Sequence, residues 1–126
     1  MAVDMAIDLT TVRDVAGDDD AFVRSVLGAF RRNANRLRGQ LVEAAACGET
    51  ATLKQVAHGL KGSLRTLGAF DAAAAALSIE EFEDDGGAEV DGQRGGVAYQ
   101  ALTERFAEEL DAVLAEVDAL LDGRPA

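Results

Sequence analysis

Apolar residues recur along this chain every three or four positions, the spacing of amphipathic helices, and nowhere alternate strictly as in a half-buried strand. Val3, Ile7, Val12 and Val15 predict a short helix within 1–16, ending at Gly17. Asp18, Asp19 and Asp20 then offer an N-cap and favourable first-turn charge. Phe22, Val26, Phe30, Leu37, Leu41 and Ala45 carry one long helix, with a bend expected near Gly28 or 33–35, to Gly48, which sits where a C-cap glycine belongs. A third helix spans 50–69, with Thr50 or Thr52 as its cap, Thr52 and Gln55 spaced as a capping box, and Gly68 as its end or a kink in it. Asp71 is expected to cap the fourth, in which the alanines of 72–76 favour helix and Leu77, Ile79 and Phe82 face inward. Residues 84–96 contain five glycines and no apolar period, and read as a loop. Tyr99, Leu102, Phe106, Leu110, Val113, Val117 and Leu120 predict the last helix, closing at Gly123 and Pro125. The pattern as a whole predicts an all-α, antiparallel four-helix bundle with an additional short N-terminal helix, one domain over 1–126.

Composition narrows what such a bundle does. With 48% hydrophobic residues in 126, the chain has a core's worth of apolar side chains without disulfide staples, and its single cysteine, Cys47, is expected to be a small core residue. No apolar run reaches the ~18 residues of a membrane span. The N-terminus carries Asp4 and Asp8 and no basic segment of a secretion signal, so a cytoplasmic protein is expected. A net charge of −11 argues against nucleic acid and anionic membranes as partners. A monomer is expected.

Against that acidic background the third helix is an exception, for it holds the only histidine, His58, and both lysines, Lys54 and Lys61. At about 100° per residue, Ala51, Lys54, Gln55, His58, Lys61, Gly62 and Arg65 fall on one face and Leu53, Val56, Leu60, Leu64 and Leu67 on the other. The leucine side buries, so His58 is expected to project into solvent from a basic stripe. Gly59 and Gly62 each lower helix stability by about 1 kcal/mol relative to alanine, a sacrifice that fits close approach by something outside the helix.

Several chemistries are poorly served by these residues. A di-iron bundle needs Glu-x-x-His pairs, whereas Gln55 precedes His58 and no second histidine exists, so no metal is expected. Ser63, Ser78 and Cys47 lack a histidine base, and no nucleotide-binding P-loop is present. A solitary exposed imidazole, whose neutral form keeps a free lone pair, remains suited to accepting an activated phosphoryl group, with the nearby cations favouring the anionic product.

The stretch Ala57-His58, Leu60-Lys61-Gly62-Ser63 and Leu67-Gly68-Ala69 resembles the signature of histidine phosphotransfer (HPt) domains, over thirteen residues. A looser likeness runs from Phe22 through Phe30, Leu37 and Leu41 to Ile79-Glu80. The resemblance implies that His58 takes a phosphoryl group on a ring nitrogen, usually Nε2, from a receiver domain's aspartyl phosphate and passes it to another receiver. It implies that Lys61 compensates phosphate charge, that Gly62 leaves room for the receiver, and that Ser63 is a small polar position turned more toward the neighbouring helix. Lys54, Gln55, Gly59, Gly62 and Arg65 are expected to contact the partner. This chain is expected to bind no cofactor, the Mg²⁺ belonging to the receiver, and to have no ATP-dependent kinase activity of its own. Two positions depart from the family pattern, Gly59 where a larger residue is usual and Leu64 where a small one is common. The position that often carries a ring-orienting glutamine falls on Ser78, a shorter group whose reach to the ring would be through water, and the orienting group is left open.

Other features have plainer readings. Arg31, Arg32, Arg36 and Arg38 are expected to be solvated or paired with acids, with partner recognition the lesser alternative, Phe22, Phe30, Phe82 and Phe106 to be core, and the acidic run from Glu80 to Asp85 to be a solubilising surface. The competing functional reading is a helical adaptor or inhibitor that docks a receiver or kinase without phosphotransfer. The pattern filling the chain to both ends is expected to disfavour a third, the phosphoacceptor domain of a larger chemotaxis-type kinase.

Overall fold

The computed structural model describes residues 7–17, 19–82 and 93–122, with the side chains of 93–99 excepted. Among them are five helices and no strand: α1 (Thr10–Ala16), α2 (Asp20–Cys47), α3 (Thr50–Thr66), α4 (Phe70–Glu81) and α5 (Gln93–Leu121). The expected turns of residues 1–6 and the expected closure at Gly123 and Pro125 lie outside the described residues, as do positions 84–92 of the predicted loop. Helix α5 begins at Gln93, so the last four positions assigned to that loop are helical, Gly95 and Gly96 included.

The long helix is one unit. Asp19 is its N-cap, with its carboxylate accepting from the Phe22 amide at 3.1 Å, and Gly48 is its left-handed C-cap at φ 70°. Two expected caps do not form. Glu49 occupies the N-cap of α3 without a side-chain bond, so neither Thr50 nor Thr52 caps it, and Ala69, not Asp71, precedes α4, leaving Asp71 in the first turn. In both cases the preceding turn is so short that the helix restarts before the capping side chain. Gly68 ends α3 as expected, at φ 73°, and its missing Cβ is required twice over: an added methyl would also collide with the carbonyl oxygen of Asp8, whose amide donates to the Leu67 carbonyl at 2.9 Å.

Packing follows from the apolar faces. α2 lies against α3 and α5, α3 against α4, and α4 against α5, with α1 resting on α2. Leu41, Leu53, Leu60, Leu64, Ile79, Phe106, Leu110, Val113 and Val117 fill the centre, all essentially inaccessible. Ala72, Ala73, Ala75 and Ala76 are buried, and these short side chains let α4 sit close to α3, which brings the polar edges of the two helices within reach of each other. Of the phenylalanines, Phe30 and Phe106 are core and Phe82 is partly buried, but Phe22 is exposed, in the first turn of α2 where none of the described residues covers it. Cys47 is likewise exposed rather than core, because it falls on the outer side of the last turn of α2.

Candidate functional site

His58 lies in the middle of α3 between the buried Ala57 and Leu60, and its own side chain is 73% exposed. The leucine face, sunk in the core, fixes the helix rotation and so aims the imidazole outward. Its Nδ1 is 2.6 Å from Oε2 of Glu80 on α4. An ionised carboxylate only accepts, so Nδ1 carries the proton and the Nε2 lone pair faces solvent.

Glu80 is the residue that sequence reasoning missed, having been assigned to a solvated acidic run. Its side chain is only 18% exposed, and its other oxygen, Oε1, forms an ion pair with Lys61 Nζ at 2.5 Å. Burial pushes the Glu80 carboxyl up, but the hydrogen bonds and charges of Lys61 and His58 outweigh it and hold the group below the usual glutamate range. One signal was available: His58 stands ten residues before Gly68 and Glu80 twelve after, so a chain folding back at that glycine brings them level. Ser78 plays no part, since its hydroxyl donates to the Ala74 carbonyl one turn back.

The same contact covers Lys61: although it falls on the polar face of α3, its side chain is only 18% exposed and its ammonium is paired with Glu80. Lys54 is half-buried and Gln55 and Arg65 are exposed, on the face that displays His58. Gly62 is exposed, and a Cβ built there meets nothing within 4 Å, while one at Gly59 meets only Leu37 Cδ1 at 3.9 Å, an ordinary contact. Neither glycine is therefore demanded by the chain's own packing.

Beside this face a cavity of about 370 Å³ opens between α2 and α3, lined by Val26, Ala29, Phe30, Asn33, Ser63, Thr66 and Leu67. Ser63 is thus turned toward the neighbouring helix, as expected. The arginines of 31–38 divide: Arg31 pairs with Asp118 at 3.0 Å and Arg38 with Asp111 at 2.6 Å, whereas among the described residues Arg36 donates only to Asn33 and Arg32 has no partner. Among the described residues no group of histidine, cysteine and carboxylate side chains is placed to hold a metal, and no helix is long and apolar enough to cross a membrane.

A family model described as Hpt domain matches residues 25–123, which takes in most of α2 and all of α3, α4 and α5. No curated protein and no solved structure matches the chain.

Proposed function

The chain belongs to the Hpt domain family, the histidine phosphotransfer modules of phosphorelays, which interact with receiver domains; from that premise we propose that His58 is its phosphoryl-carrying residue. The observation that carries the proposal is the 2.6 Å contact between His58 Nδ1 and Glu80. It holds the ring in the tautomer whose Nε2 lone pair points outward, toward anything that docks on α3.

In the forward step Nε2 attacks the phosphorus of a receiver's aspartyl phosphate. The N–P bond forms as the acyl P–O bond breaks, and the electron pair leaves with the receiver's carboxylate. Positive charge develops on the imidazole, and Glu80 faces it from the far side, the role an aspartate plays behind a catalytic histidine. Donation to a second receiver is the reverse. Phosphoryl transfer depends chiefly on positioning and charge compensation, and the division of labour follows: this protein contributes the nucleophile, its orientation and the Lys61 cation, and the receiver contributes the carboxylate and a divalent cation such as Mg²⁺. Helices α2 to α5 are read as an antiparallel four-helix bundle, a reading supported by connectors of two residues between α2 and α3 and three between α3 and α4.

The test is incubation with a receiver domain phosphorylated by acetyl phosphate. Wild type is expected to acquire an acid-labile, base-stable label that His58→Gln does not. Label persisting in His58→Gln would move the site elsewhere, and binding without any transfer would make the protein an adaptor.

A further inference from the structure

The charges of this molecule are segregated. Helices α2 and α3 together hold eight of the twelve lysines and arginines but only two of the 23 acidic residues, Asp20 and Glu43. Part of that positive charge is neutralised within the fold, since Arg31 and Arg38 reach acids of α5 and Lys61 reaches Glu80. Arg32, Arg36, Lys54 and Arg65 have no acidic partner among the described residues.

Helix geometry puts Lys54 and Arg65 on the His58 face of α3, and Arg32 and Arg36 on the outer side of the adjoining α2. On α2, Arg32 and Arg36 are successive turns of one row, rotated well away from the α5-facing Arg31 and Arg38. Arg36 donates to Asn33 Oδ1 at 2.7 Å, and Asn33 lines the α2–α3 cavity with Ser63. The next residue, Leu37, is the one that meets Gly59. On α3, Lys54 and Arg65 lie one turn before and two turns after His58 on its own face.

We propose that this four-cation rim selects the docking partner by charge, and that the partner is a receiver domain whose docking face is acidic. The identity of the partner as a receiver rests on the functional reading above; the electrostatic argument does not. A molecule of net charge −11 repels an acidic protein from most approaches, and a local basic face turns the same field into an orienting device, because only encounters on the α2–α3 side are attractive. A receiver with a basic face is drawn to the acids of α4 and α5 instead, the side opposite the α2–α3 cavity, where no transfer follows.

Association of a panel of receiver domains from the same organism with His58→Gln protein, followed by stopped-flow fluorescence at low and high salt, separates docking from transfer. The receiver that associates fastest is expected to have an acidic face, and its association rate to fall with salt. In Arg32→Gln/Arg36→Gln the rate is expected to drop about three- to tenfold at low salt and to lose most of its salt dependence. Arg31→Gln, which removes one charge that α5 already neutralises, is expected to change it by less than about twofold. Salt-independent association, an unchanged rate in the double variant, or an equal loss in Arg31→Gln overturns the charge-selection proposal while leaving phosphotransfer standing. Salt-sensitive docking without label on wild-type His58 leaves the rim in place and removes the transfer reading, and a panel in which nothing binds removes both.

Discussion

A single carboxylate, Glu80, serves both His58 and Lys61, with one oxygen 2.6 Å from the imidazole Nδ1 and the other 2.5 Å from the ammonium. Orientation of the ring and placement of the cation are therefore one structural property rather than two. Glu80→Ala is expected to slow phosphoryl acceptance by roughly tenfold or more, since a histidine freed from its carboxylate samples the wrong tautomer and rotamers. Glu80→Gln, whose amide oxygen still accepts from Nδ1, is expected to recover much of that loss. Nitrogen NMR of the ring distinguishes this from general damage: the Nδ1–H form should dominate in wild type and Glu80→Gln and give way in Glu80→Ala.

The acid side of the stability profile provides a second check. Glu80 titrates below the usual glutamate range in the folded protein, so its interactions stabilise the fold above about pH 4 and that contribution is lost as pH falls further, through the lowered value. Asp8, whose carboxyl is lowered by hydrogen bonds from the Thr10 side chain and amide, acts in the same window and sense. Urea melts between pH 6 and about 3 should show wild type losing stability more steeply than Glu80→Gln at the acid end. Equal slopes would mean that the carboxylate is not favourably paired in solution.

Lys61→Ala is expected to act on two quantities. Removing the cation leaves Glu80 facing His58 alone in a mostly covered position, which should lower fold stability by about 1 kcal/mol. On the proposed mechanism it also removes a cation that compensates phosphate charge, so transfer should slow beyond what the stability loss explains; transfer at the wild-type rate would remove Lys61 from the mechanism.

Gly62 invites the opposite pairing of effects. A methyl there meets nothing in this chain, and alanine is the better helix former, so Gly62→Ala should stabilise the fold by about 0.5–1 kcal/mol. If the glycine exists to admit a partner, Gly62→Gln should nonetheless dock receivers more weakly. A stabilised variant with undiminished docking would show that the gap is not used.

Gly68→Ala should be severely destabilising, by more than about 2 kcal/mol, because it combines a left-handed backbone with a clash against the Asp8 carbonyl. Thermal melting of the variant checks it, and a melting point within a few degrees of wild type would contradict the described path of the N-terminal segment.

The helices and the exposure of His58 were legible because both follow from periodicity: leucines three and four apart on α3 commit one face to the core and leave the other wet. Gly48 and Gly68 were legible because a left-handed turn has few residues to choose from. What escaped was everything decided between helices. Glu80 looks like its acidic neighbours until α4 is laid on α3, and Arg31, Arg32, Arg36 and Arg38 look like one cluster until α5 claims Arg31 and Arg38. Cys47 and Phe22 were misjudged for the same reason, since an apolar side chain near a helix end buries only if another element reaches it. The caps of α3 and α4 failed because the connecting turns are shorter than the capping side chains require.

That brevity carries a final implication. The three helices bearing His58, Glu80 and the cationic rim are joined by connectors of two and three residues, which leaves no slack for one to slide along another. Such a surface meets every visitor in the same shape, and any accommodation needed to bring an aspartate to the imidazole falls to the visitor's loops. On the proposed relay, a carrier that serves both a donor and an acceptor gains from this, because both meet the same surface.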